Sequence, residues 1–173
     1  MSKLQLKKEL QKLTKEQLIE QIIELYDMYK PVKEYYKIYL NPDNIQELFE
    51  KHKAIIVQEF YPSNKSRNPK LRFSVAKKAI ADFSVIKPPP KLIADLMVTL
   101  AETACRFAYE SSDLWEQFYD STANNFERAL KYLQKEKLLD DFKLRCEKCL
   151  KCTVHCGYGF SDAMDGVFDE YYS

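Results

Sequence analysis

Apolar residues return every three or four positions along almost the whole chain, and no stretch shows sustained alternation of apolar and polar residues. That spacing lines one face of a helix and argues against half-buried strands. Leu4, Leu6, Leu10 and Leu13 form the apolar set of a first short helix, Ser2 to Leu13. Thr14-Lys-Glu-Gln17 is a capping-box sequence, a hydroxyl followed three residues later by an amide. It starts a second helix through Leu18, Ile19, Ile22, Ile23, Leu25, Tyr26 and Tyr29. Pro31 suits the first turn of a third helix, which carries Val32, Tyr35, Tyr36 and Tyr39 to Leu40. Asn41-Pro42 sets an N-cap before a proline at the first helical position. The helix it opens runs through Ile45, Leu48, Phe49, His52, Ile55, Ile56 and Phe60.

The pattern then breaks over 61–72, the longest loop, and resumes with Ser74 as a helix cap. Pro88-Pro-Pro90 interrupts it again, since consecutive prolines supply no backbone donors. Leu92, Ile93, Leu96, Met97, Leu100, Ala104 and Phe107 mark a strongly apolar and therefore central helix. Ser112-Asp113 caps a short helix with Leu114, Trp115, Phe118 and Tyr119 as its face. Ser121 or Thr122 restarts a helix through Phe126, Ala129, Leu130 and Leu133. A further helix begins near Leu138 and runs to Cys156, where Gly157-Tyr-Gly159 ends it. The last helix starts at Ser161 or Asp162, with Met164, Val167, Phe168 and Tyr171 on one side and Asp162, Asp165 and Asp169 on the other. Acids in that place are usually a wet face rather than a cation site.

These elements predict an all-α protein of about eight helices, an irregular multi-helix bundle or a short HEAT-like helical array. The second form is raised by helix pairs recurring at roughly 40-residue intervals. A single helical domain over 1–173 is expected, with a candidate subdomain break near 87–91. Composition agrees: only three glycines occur in 173 residues, where about 7% is usual and sheets need them for turns. No apolar run approaches the roughly 20 residues of a membrane span, and the start lacks the apolar core of a signal peptide. The expected setting is cytoplasmic, without a membrane partner and with reduced cysteines.

Net charge is +1 but unevenly spread. Residues 61–87 hold seven basic residues and one acid, whereas 157–173 hold four acids and no base. Lys65, Arg67, Lys70, Arg72, Lys77 and Lys78 lie around a helix start, where free N–H groups add to the positive field. They are the candidate contact region for an anionic partner, including a nucleic-acid backbone. The plainer reading is a solvated basic loop. The tyrosines at 26, 29, 35, 36 and 39 offer a stacking surface, against the plainer reading of core packing with hydroxyls reaching water. His52, alone on an apolar face, reads as a packing residue.

Cys146, Cys149, Cys152 and Cys156 have the spacing of one ferredoxin half-motif, so zinc or an iron–sulfur cluster is the alternative cofactor. The motif occurs once, and Gly157 stands where ferredoxins have proline. Helical geometry favours packing. At 100° per residue, Leu138, Phe142, Cys146, Cys149, Thr153 and Cys156 share a face about 80° wide. Cys146 and Cys156 would then lie about 15 Å apart along the axis, too far for one ion. No cofactor is therefore expected. Walker, dinucleotide-binding, nucleophile-elbow and HExxH motifs are absent, which sets the balance against an enzyme without closing the question.

LTKEQLIEQIIELY near the start, LRFSVAKKAIADF in the middle and GYGFSDAMDGVFDEYY at the end resemble an all-helical bacterial family of unknown function. The resemblance spans nearly the whole chain and implies a helical fold, but brings no catalytic residues. The leading expectation is a non-enzymatic macromolecular binding or scaffold module with a protein partner. Nucleic-acid binding through 65–78 and metal binding through the cysteine run are the alternatives. The oligomeric state stays open.

Overall fold

The computed structural model describes residues 1–64, 66–111 and 114–172. Among them are nine α-helices and no strand. The chain divides into two compact units, Met1–Asn44 and Ile45–Ser173. The division expected near 87–91 does not fall there. Pro90 instead opens a helix inside the second unit, where its missing N–H is one the first turn leaves unpaired anyway.

The first unit holds α1 (Lys3–Leu10), α2 (Lys15–Met28), α3 (Lys30–Leu40) and a 3-10 turn, Pro42–Asn44. The Thr14 capping box forms: Gln17 N–H donates to Thr14 Oγ1 at 3.2 Å, and Thr14 N–H to Gln17 Oε1 at 2.9 Å. Ser2 and Gln5 make a second box at the start of α1. Pro31 lies in the first turn of α3 as its fixed φ requires. Pro42 occupies the 3-10 turn, and the next helix starts three residues later. α2 packs on α3.

The second unit comprises α4 (Ile45–Phe60), α5 (Phe73–Ser84), α6 (Pro90–Glu110), α7 (Glu116–Lys135), α8 (Leu139–Lys151) and α9 (Phe160–Tyr172). α6 is its axis, touching α4, α5, α7 and α8. It buries Ala94, Leu96, Val98, Leu100, Ala101, Ala104, Cys105 and Ala108, and the small residues among them let neighbouring helices approach closely. Phe60, Phe73, Phe107 and Phe118 meet in tilted and edge-to-face contacts at one end, the geometry the ring quadrupole prefers. α9 packs on α7 and α8.

Three boundaries in the second unit differ from the sequence pattern. α5 begins at Phe73 with Arg72 at its N-cap, so Ser74 lies inside it. The Ser112-Asp113 cap lies outside the described residues. α7 does not restart at Ser121 or Thr122. The Thr122 hydroxyl donates to the Phe118 carbonyl at 2.9 Å, and a hydroxyl bonded to its own helix does not interrupt it. α8 stops at Lys151 with Cys152 as its C-cap, five residues before the first glycine. Thr153 takes over there, its hydroxyl donating to the Leu150 carbonyl at 2.7 Å.

Candidate functional site

Among the described residues, the cations of the basic region divide into exposed and carboxylate-bound side chains. Lys65 lies outside the described residues. Arg67 and Lys70 are exposed in the loop. Arg72 is bound to Glu59 near the end of α4, its Nε at 2.9 Å and Nη2 at 2.7 Å from the carboxylate oxygens. The Glu59 carbonyl accepts from the N–H groups of Lys70 and Leu71 at 3.0 and 2.9 Å. Leu71 adopts the left-handed conformation, φ 54°, to present its N–H there. The Arg72 hydrogen bonds hold the Glu59 carboxyl below the ordinary value of 4.5, against the opposing effect of burial. Lys78 pairs with Asp82 one turn on, at 3.2 Å. Lys77 is exposed and lines a small groove with Ile80, Met97 and Arg128.

The cysteines divide by depth. Cys146 and Cys149 are fully buried on the inner face of α8, while Cys152 and Cys156 are half-buried beyond its end. Cys149 meets Cys105 of α6 by a thiol hydrogen bond, which with burial raises its pKa well above the ordinary range. Burial also pushes Cys146 up to about 12, opposed by a hydrogen bond from Tyr172. Burial raises Cys152 and Cys156 as well. The Cys156 thiol points back to the Cys152 carbonyl at 3.6 Å. Among the described residues, no group of three or more His, Cys, Asp or Glu side chains is placed to hold a metal ion.

Three further arrangements emerge, of which the sequence signalled only the last, through its tyrosines. The first is a half-buried ion cluster. Arg145 of α8 donates to both Glu102 oxygens of α6, at 2.8 and 2.6 Å, and lies 3.1 Å from Asp95. Burial would weaken its proton, but the hydrogen bonds and charges of Glu102 and Asp95 outweigh that and raise the pKa. The second is a cavity of about 480 Å³ lined by Glu102, Thr103 and Arg106 of α6 with Lys148, Cys149, Lys151 and Cys152. The third is the surface of the first unit.

No residue of Met1–Asn44 is buried. Ile19 is 49% exposed, Ile23 55%, Tyr39 66% and Leu40 69%. The tyrosines pack on one another, with Tyr35 stacked on Tyr39 at 6.1 Å and Tyr36 edge-on to both. They form a surface cluster and not the core expected of them. An open groove of about 410 Å³ runs between α1 and α2, lined by Lys3, Leu6, Lys7, Leu10, Gln11 and Leu18. His52, by contrast, is buried beside the Phe83 ring at 5.5 Å, on the apolar side its position indicated.

Fold and surface together define an all-α, two-unit helical protein whose exposed features are an apolar N-terminal face and a cationic cavity. The chain belongs to a family of unknown function, DUF6155, whose model matches residues 1–172. The resemblance carried by the three sequence stretches is thereby borne out as to family and helical fold. No curated protein and no solved structure matches the chain. No helix among the described residues is long and apolar enough to cross a membrane.

Proposed function

We propose that this protein is a binding module whose N-terminal unit, Met1–Asn44, docks on another protein. The observation that carries this reading is the complete lack of buried residues in that unit, despite its leucines, isoleucines and tyrosines. A segment of this length buries too little surface to be stable alone and ordinarily needs a partner or cross-link. Exposed apolar faces of this extent mark interaction sites on folded proteins.

The partner's chemistry is an apolar surface with mixed charge at its rim. α2 carries Glu16, Glu20, Glu24 and Asp27 beside its isoleucines, whereas α1 carries Lys3, Lys7 and Lys8. A protein partner fits this better than a nucleic-acid backbone, because Arg72 and Lys78 of the basic region are engaged by Glu59 and Asp82. The five free cysteines are in keeping with a reducing, cytoplasmic setting.

Site-specific photo-crosslinking in the full chain tests the reading. A photoreactive residue at Ile23 should give one discrete protein adduct, lost when Ile19→Glu is added. The same label at exposed Leu144 of α8 should not give it. No adduct at Ile23, or equal adducts at both positions, would sink the proposal.

A further inference from the structure

The cavity between α6 and α8 has a chemistry that docking through the first unit does not use. Its volume of about 480 Å³ lies within the roughly 300–1,000 Å³ of ordinary small-molecule sites. Three of its lining residues are cations: Arg106 from α6, and Lys148 and Lys151 from the last turn of α8. The one carboxylate, Glu102, is already matched by the two-point hydrogen bond from Arg145. Neither Lys148 nor Lys151 has an ion-pair partner among the described residues. The cavity therefore holds an uncompensated positive charge.

Arg106 is held in place for recognition. Its guanidinium lies over the Tyr61 ring at 4.1 Å, and its Nε is 3.8 Å from Glu110. Glu110 also accepts the Tyr61 hydroxyl at 2.8 Å. These two contacts restrain the guanidinium, and its fork of donors suits two-point binding of an oxyanion. Beneath the cations lie Cys149 and Cys152. Their raised pKa keeps both thiols neutral at ordinary pH, so this wall is soft and uncharged.

Lysines in the last turn commonly balance the helix dipole. That explains Lys148 and Lys151 on α8, but not an arginine facing them from α6 across a cavity. We propose that this cavity binds a small organic phosphate monoester. Its phosphate sits between Arg106 and the two lysines, and its apolar body lies against Cys152. Three cations match a dianionic group better than a single carboxylate.

The test is an NMR titration of the full-length protein with phenyl phosphate, using inorganic phosphate and benzyl alcohol as comparisons. Saturable amide shifts should cluster at 102–106 and 148–152. Phenyl phosphate should bind more tightly than inorganic phosphate, and benzyl alcohol should not bind. Both lysines are exposed, so Lys148→Ala/Lys151→Ala should keep the fold and weaken binding about tenfold or more. Lys77→Ala/Lys78→Ala and Ile23→Glu should leave binding unchanged, the latter separating this site from the docking surface. In the native protein, phenyl phosphate should also slow alkylation of Cys152 but not of Cys156. Non-saturable shifts, shifts spread over 66–78, equal affinity for inorganic phosphate, or indifference to the lysine pair would each overturn the proposal.

Discussion

Glu59 and Arg145 show how single residues hold the second unit together. Glu59 fastens the long loop at both levels, its carbonyl on the Lys70 and Leu71 backbone and its carboxylate on Arg72. Its folded pKa is depressed below 4.5, so the folded state binds its proton less readily than the unfolded chain does. The resulting stability is complete above about pH 4.5 and is lost as pH falls through the lower folded value. Glu59→Gln should therefore lower the urea midpoint at pH 7 and flatten its fall toward acid; an unchanged acid limb would contradict this. Arg145→Met leaves Glu102 half-buried without its cation and Asp95 with only Lys53, at 3.7 Å. Urea denaturation should show a loss of about 1–3 kcal/mol, less than a fully buried pair would cost. Neither arrangement was legible in the chain, because each joins residues from different elements, Arg145 and Glu102 being 43 positions apart. The cysteines were legible as packing residues, but only up to the end of α8. Thiol alkylation at pH 8 should modify Cys152 and Cys156 first and spare Cys105, Cys146 and Cys149 until the protein unfolds. Early reaction of Cys146 would contradict its burial and its pKa of about 12.

At the scale of elements, periodicity located every helix and misjudged some ends. Ser121 and Thr122 look like a cap because hydroxyl residues cap helices, yet the same hydroxyl can bond its own helix four residues back. Which occurs depends on what lies outside. Thr122 is fully buried in the face that α7 presents to the core, so the helix runs on. The end of α8 was misplaced for the opposite reason. The glycines at 157 and 159 seemed to be its stop, but they serve the turn into α9. There Tyr158 and Gly159 are both left-handed, with φ 58° and 66°. Gly159→Ala has free space around it, so its cost is backbone strain alone, about 1 kcal/mol in a thermal or urea melt. Phe118 is different in kind. It touches the rings of Phe60, Phe73, Phe107 and Trp115 and is 1% exposed. Phe118→Ala should cost about 3–5 kcal/mol by urea denaturation, as a buried ring replaced by a cavity does.

For the whole molecule, the division at Asn44 separates a unit with a core from one without. Local opening takes little free energy where few apolar contacts are lost. Hydrogen exchange of the isolated chain should therefore be at least about a hundredfold faster for α1–α3 amides than for α6, a gap of two decades or more in opening equilibrium. Equal protection would mean that the first unit is stabilised in a way its exposed side chains do not account for. The same observation underlies the docking proposal, since binding would raise protection in α2 and leave α6 as it was.

The class of fold, the helix positions, the capping box at Thr14 and the central place of α6 were determined by the sequence alone. They depend on local spacing and on local hydrogen bonds, which a chain carries wherever it goes. The membership of apolar residues in a core was not. Ile23 and Leu100 read alike as helical apolar positions, yet one is 55% exposed and the other 2%. Burial is decided by what other helices bring to the same place. For the same reason only the tertiary structure could pair Arg72 with Glu59, set Cys149 beside Cys105, and place Arg106 across a cavity from Lys148 and Lys151.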